Sequence, residues 1–259
     1  MRTLANIASI LSLVLLTSSL MLSCASIKSH LKYTHRSNSV PVDAFAFVMV
    51  NHEIKPDKCL PGPREQECNK IIDQLPPLRS QGSGSGMLVW TKTKPVFLTA
   101  AHVCTVEHPE VYEVEDMRFT LSSDVKIQVR GVSGEVLSTE IIKINNEKDL
   151  CALDVPKLNT APVKVSHRPP KIGDTVYAIS APYGINTPTL NLVFSGYYSG
   201  KDDRWHFYTI PTRPGSSGSI VLNENFRAVG MLNAAFLDIE HIGLGAGYED
   251  IVEFLRDIP

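Results

Sequence analysis

The chain has 259 residues, with 25 Lys+Arg against 27 Asp+Glu and a formal net charge of −2. A domain runs to roughly 100–200 residues and an all-β protein to about 250, so the length fits one large domain or two small ones. Hydrophobic residues at 43% and charged residues at 20% exclude a disordered chain, and the lack of positive charge leaves no footprint for nucleic acid.

The N-terminus reads as an export segment. After Arg2 no charge occurs until Lys28, and the run Leu4 to Leu22 is mostly apolar, the layout of a secretory signal. Met21-Leu22-Ser23-Cys24-Ala25 also resembles a bacterial lipobox, in which a small residue precedes a Cys that is lipidated. Ser23-x-Ala25 suits ordinary signal-peptidase cleavage as well, and about 20 apolar residues could stay as a membrane anchor. All three routes export the domain to the periplasm or the outside. Residues 1–24 are therefore expected to be the export segment with Cys24 as lipid attachment point, residues 25–40 a polar tether, and 41–259 the domain.

Export makes the cysteines legible. Without Cys24, the four left are Cys59, Cys68, Cys104 and Cys151, an even number that permits three connectivities. Cys59 and Cys68 bracket a polar, Pro-containing stretch, so a local loop disulfide is the expected pairing. The other two either bridge or stay as buried thiols. No CxxC and no zinc-type Cys/His spacing occurs, and His102-x-Cys104 alone is a poor ligand pair, so neither metal nor cofactor is expected.

From Val42 onward, short β-type runs alternate with turn residues: Ala44–Val50, Gly86–Thr91, Val96–Ala100, Val125–Val129, Glu140–Ile144, Thr175–Ile179, Leu190–Tyr198, His206–Ile210, Ser219–Leu222, Ala228–Asn233 and His241–Leu244. Such spacing without long amphipathic helices predicts an all-β sandwich or barrel protein. The stretch Leu158–Gly173, with Pro162, Pro169 and Pro170, reads as a connection between two β halves, about 41–157 and 171–246. One helix is predicted, from about Tyr248 to Arg256, because Ile251, Phe254 and Leu255 share a face and Glu249 and Asp250 favour its N-terminus.

Three strings carry chemistry: Phe97-Leu98-Thr99-Ala100-Ala101-His102-Val103, then Lys148-Asp149-Leu150-Cys151-Ala152-Leu153, then Pro214-Gly215-Ser216-Ser217-Gly218-Ser219-Ile220-Val221. Taken singly, a strand-end His is usually a satisfied half-buried ring, an Asp before an apolar strand a turn residue, and a Gly/Ser run a flexible loop. Acyl chemistry, however, needs a hydroxyl, an imidazole base, a carboxylate that fixes the imidazole tautomer, and two N–H groups aimed at the oxyanion. Their joint occurrence in this order is hard to obtain by chance.

These strings resemble the His, Asp and Ser motifs of trypsin-like serine peptidases, most closely the compact bacterial glutamyl-endopeptidase and Deg types. Gly82-Ser83-Gly84-Ser85-Gly86, Gly173-Asp174-Thr175-Val176-Tyr177-Ala178-Ile179, Ala181-Pro182-Tyr183-Gly184 and Val229-Gly230-Met231 extend the likeness over roughly Gly82 to Asn233. The resemblance implies two six-stranded antiparallel β-barrels with a short C-terminal helix. It makes His102 the base, Asp149 the orienting carboxylate and Ser217 the nucleophile, with Gly215 and Ser217 N–H groups as the oxyanion hole. The order His, Asp, Ser argues against an α/β-hydrolase. Ser216 stands where digestive enzymes carry an Asp, so activation by a freed N-terminus is not expected.

Thr212, Leu232 and Asn233 fall at substrate-pocket positions by the same resemblance. Leu232 occupies the place of a glutamyl-endopeptidase His, and the absence of charge there favours a small or medium apolar residue before the cleaved bond. Arg213 would recruit acidic side chains only if it turned inward. His206 and His241 read as structural, and Asp202-Asp203 as a solvated turn. The implied activity is endopeptidase cleavage of a polypeptide substrate. A latent trypsin-fold binding module and an esterase using the same triad are the alternatives.

Overall fold

The computed structural model describes residues 39–105, 111–155, 158, 160–236 and 239–258. The export segment, the tether up to residue 38 and Cys24 lie outside the described residues.

The first sheet contains β1 (Phe45–Cys59), β2 (Leu78–Trp90), β3 (Pro95–Thr99), β4 (Val111–Val114), β5 (Met117–Gly131), β6 (Val136–Asn145), β7 (Leu150–Asp154) and β8 (Val163–Lys164). Its ladder runs β1-β2-β3-β7-β6-β5-β4, and an antiparallel β1–β5 pairing closes six of these strands into a barrel. β8 adds parallel to β2 through Val89 and Val163. The interior is filled by Phe45, Met87, Phe97, Leu98, Leu150 and Leu153, all under 2% exposed. Truncating any one of them to Ala costs about 2–5 kcal/mol.

The second sheet contains β9 (Thr175–Ser180), β10 (Leu192–Lys201), β11 (His206–Tyr208), β12 (Ser219–Asn223), β13 (Ala228–Leu232), β14 (Ala234–Ala235) and β15 (Gly243–Gly245). The order is β13-β12-β9-β10-β11-β15-β14. Met231 N–H donates to Ala246 O at 3.0 Å and Asn233 N–H to Leu244 O at 2.8 Å, which curls this sheet into a half-barrel rather than the second closed six-stranded barrel expected. Val176, Tyr198, Tyr208, Ile210, Val221 and Leu232 form its core. The trypsin-like double-barrel architecture read from the sequence is otherwise the one observed.

The C-terminal helix Tyr248–Arg256 buries Ile251, Phe254 and Leu255 as its periodicity predicts. Its ends are satisfied by side chains: the Asp250 carboxylate accepts from Gly247 N–H at 2.9 Å, and Lys143 Nζ donates to Phe254 O at 2.8 Å.

Several elements differ from the sequence expectation. β1 continues to Cys59 and β5 starts at Met117, because their outer halves alternate polar residues on an exposed face and show no apolar run. The stretch bracketed by Cys59 and Cys68 is loop only to Arg64. Helix Glu65–Ile72 then begins, and Cys68 is its only buried residue. The strand expected from His241 begins at Gly243, since His241 sits in a turn with φ +65°.

Candidate active site

His102 lies on a single helical turn, Ala101–Cys104, at the end of β3. Ala101, Val103 and Cys104 are buried, which turns the intervening His102 outward, its side chain half exposed. Asp149 closes the β6–β7 turn, where the Asn145 side chain accepts from Lys148 N–H at 2.9 Å and Asp149 adopts φ +53°. That left-handed conformation is strained for most residues and tolerated by Asp. Because β3 and β7 are paired, Thr99 opposite Cys151, the two strand ends deliver their residues to one place.

The contact between them is two-pronged. Asp149 Oδ1 accepts from the His102 backbone N–H at 2.9 Å and Oδ2 pairs with His102 Nδ1 at 2.7 Å. A carboxylate oxygen accepts, so in a neutral imidazole held this way the proton belongs on Nδ1 and the lone pair on Nε2. The disulfide Cys104–Cys151 joins the same two segments, Cα–Cα 6.6 Å. The expected Cys59–Cys68 bond is also present.

Ser217 belongs to the loop that enters β12. Gly215 and Gly218 have φ of +94° and +89°, and a Cβ on Gly215 would stand 2.5 Å from Ala181 O. Only glycine fits both turns. The loop is seated on β2: Ser85 N–H donates to Ser217 O at 2.8 Å, and the fully buried Ser85 hydroxyl donates to Gly215 O (2.8 Å) and accepts from Ala181 N–H (2.9 Å). Pro214 O accepts from Tyr183 N–H at 2.6 Å, and in a trans peptide the Gly215 N–H then points the opposite way. Among the described residues, neither the Gly215 nor the Ser217 N–H has a protein acceptor. Two unpaired donors of this kind are what an oxyanion requires.

The Ser217 hydroxyl donates to Asn233 O at 3.3 Å. Asn233 is buried and its side-chain amide reaches the first barrel, donating to Asp149 O at 3.0 Å and Lys148 O at 3.4 Å. Thr212 and Leu232 are also buried, and a Cβ added to Gly243 would collide with Thr212 Oγ1 and lie 2.8 Å from Leu232 Cδ2. Arg213 stays at the surface, donating to Thr212 O at 3.0 Å with Glu240 3.9 Å away.

Three residues escaped the sequence reading. Ser85 sits in the glycine-rich string, but its role as a bracket between loops depends on tertiary contacts. Arg204 and Trp205 line a cavity of about 350 Å³ together with His102, Asp149 and Glu147. They follow Asp202, whose carboxylate accepts from both their N–H groups at 2.8 and 2.6 Å. An exposed cation beside a Trp in a charged turn was the available signal.

A trypsin-like peptidase domain family model matches residues 84–231. No match was found among curated proteins. Among solved structures, the serine endoprotease from Yersinia pestis superposes with a TM-score of 0.53 at 19% identity, over 85% of this chain and 65% of that one. The chain thus spans just under two thirds of that enzyme's length. The Rv3671c protease from M. tuberculosis in its active form gives 0.56 at 15% identity, covering 86% and 85% of the two chains. The HtrA-type protease AlgW with a tripeptide gives 0.57 at 18%, covering 86% and 62%. With the double barrel and the matched segment in agreement, the chain belongs to the trypsin-like serine peptidase family.

Proposed function

We propose that the protein is an exported serine endopeptidase in which Ser217 attacks a peptide carbonyl, His102 takes its proton and later passes it to the leaving amine, and Asp149 holds the imidazole. The observation that carries this reading is the two-pronged grip of Asp149 on His102, together with a Ser217 loop, seated on β2, whose Gly215 and Ser217 N–H groups are unpaired. The tetrahedral oxyanion would be held by those two donors, and water would release the acyl-enzyme. The Ser217 hydroxyl must exchange its acceptor at Asn233 O for His102 Nε2 when substrate binds, a tightening common between free and bound enzymes.

The uncharged, filled space around Thr212, Leu232 and Gly243 supports preference for a small or medium apolar residue before the cleaved bond. Two disulfides support export, because such bonds persist in oxidising compartments. Cleavage between Ser23 and Cys24, with lipid attachment at Cys24, belongs to the same proposal.

The test is labelling of the purified chain with a fluorophosphonate, read by intact mass, with Ser217→Ala as control. Stoichiometric labelling lost in the control establishes an activated serine, and paired ester and peptide substrates then separate esterase from peptidase. A folded protein that takes no label is a latent binding module.

A further inference from the structure

A cavity of about 480 Å³ opens on the face built by the β2–β3 turn, the segment around β8, the start of β13 and the C-terminal helix. It shares no lining residue with the cavity beside His102. Four cations line it, Lys92, Lys164, Arg227 and Arg256, and no Asp or Glu does. Among the described residues none of the four has a carboxylate within 4.0 Å.

The rest of the lining mixes the apolar Val165, Val252 and Leu255 and the rings of Trp90 and Tyr248 with Thr91, Ser166 and His167. Trp90 is 42% exposed there, Tyr248 and Val252 come from the half-buried flank of the helix, and Leu255, on the buried face with Ile251 and Phe254, lies where that face meets the cavity. Four like charges around one concavity repel each other and focus a positive potential into it, which an anion of charge greater than one relieves. Trp, Lys and Arg around an apolar floor is also the composition that meets a lipid headgroup region. The volume suits a headgroup with the first carbons of its chains.

We propose that this cavity binds the phosphate headgroup of an anionic lipid, with Lys92, Lys164, Arg227 and Arg256 around the phosphate and Trp90, Val252 and Leu255 against the start of the acyl chains. The site is independent of the peptidase chemistry.

The experiment titrates the full chain with dihexanoyl phosphatidate, kept monomeric, and reads binding by calorimetry and by Trp fluorescence, with Trp90→Phe identifying the responding ring. Saturable binding is expected, weakened about tenfold or more by the double variant Lys164→Gln/Arg227→Gln and weakened by added salt. Lys164 is exposed, and an unchanged melting temperature verifies that the variant is folded. Phenyl phosphate should bind more weakly, and dihexanoyl phosphatidylcholine not at all. Equal binding by the double variant, or equal binding of phosphatidylcholine, overturns the proposal. Phenyl phosphate binding as tightly as phosphatidate would assign the cavity to a soluble phosphate ester and overturn the lipid assignment.

Discussion

The Asn233 side-chain amide donates to the backbone carbonyl of Asp149 at 3.0 Å, across 84 residues of chain and from one barrel to the other. The backbone carbonyl of Asn233 accepts from the Ser217 hydroxyl, so a single residue touches both sides of the site. Asp149 sits at φ +53°, a conformation that needs outside support. Asn233→Ala is therefore expected to lower kcat by about tenfold or more while KM changes little, since positioning is lost and binding is not. Asn233 Oδ1 is buried without a partner, so the variant should lose less stability than activity. A rise in KM with constant kcat would assign Asn233 to substrate binding instead.

Asp149→Asn tests the orienting carboxylate directly. Asparagine keeps the shape and can still accept from the His102 N–H, but its amide competes for the Nδ1 tautomer. Turnover should fall by about four orders of magnitude, as in the general serine-protease template, with the melting temperature changed little. Activity within tenfold of the parent would remove Asp149 from the mechanism.

Ser85→Ala would strip two hydrogen bonds from a fully buried bracket and leave Gly215 O and Ala181 N–H without their partner. The expected cost is about 1–3 kcal/mol in denaturant unfolding, with slower fluorophosphonate labelling of Ser217 because the loop is held less firmly. Labelling at the parent rate would show that the Gly215 turn holds itself.

Removing Cys104–Cys151 by paired Cys→Ala substitution opens a loop with a sequence separation of 47 residues. Chain-entropy reasoning puts the loss at about 4 kcal/mol, against about 2.6 kcal/mol for Cys59–Cys68 with its separation of 9. Urea midpoints of the two variants should follow that order. Activity should suffer only in the first, because the second bridge ties the last residue of β1 to helix Glu65–Ile72, and neither element carries a residue of the site.

Acid should destabilise the protein earlier than its carboxylates alone would predict. Burial lowers the pKa of His206 from 6.5, and Lys201 and Lys148 add to this against the opposing Asp250 and Glu249. His52 is lowered by burial as well. The unfolded chain therefore binds protons first, and this stability is full above about pH 6.5 and declines as pH falls below it. Urea midpoints measured from about pH 7.5 down to about 5.5 should drop, and His206→Gln should flatten the slope. An equal slope in the variant would exclude His206 as a contributor.

What could be read from the sequence was whatever repeats with a period or sits in a tight motif. The C-terminal helix follows from Ile251, Phe254 and Leu255, and β3 from its unbroken Val96-Phe97-Leu98. Helix Glu65–Ile72 was hidden because it is polar nearly all round and held by one disulfide, so no apolar stripe announces it. The polar outer halves of β1 and β5 pair with each other at the barrel's edge, where alternation is weak. At the site, residue types were legible and directions were not. Nothing in the string around Asn233 says that its amide turns toward Asp149, because that choice is made by the packing of one barrel on the other.

The seating of Gly218 against Ser85 O and Thr99 Oγ1 has a consequence for the order of events in a growing chain. The loop bearing Ser217 has internal bonds such as Ser216 N–H to Arg213 O, but its seat is completed only when β2 and β3 are there to receive it. Domains synthesised from the N-terminus form their early elements first. The barrel holding His102 and Asp149 thus acts as the mould, and the serine is cast last. On the proposed mechanism, a chain interrupted before the second barrel docks would carry a base and its carboxylate with nothing to activate.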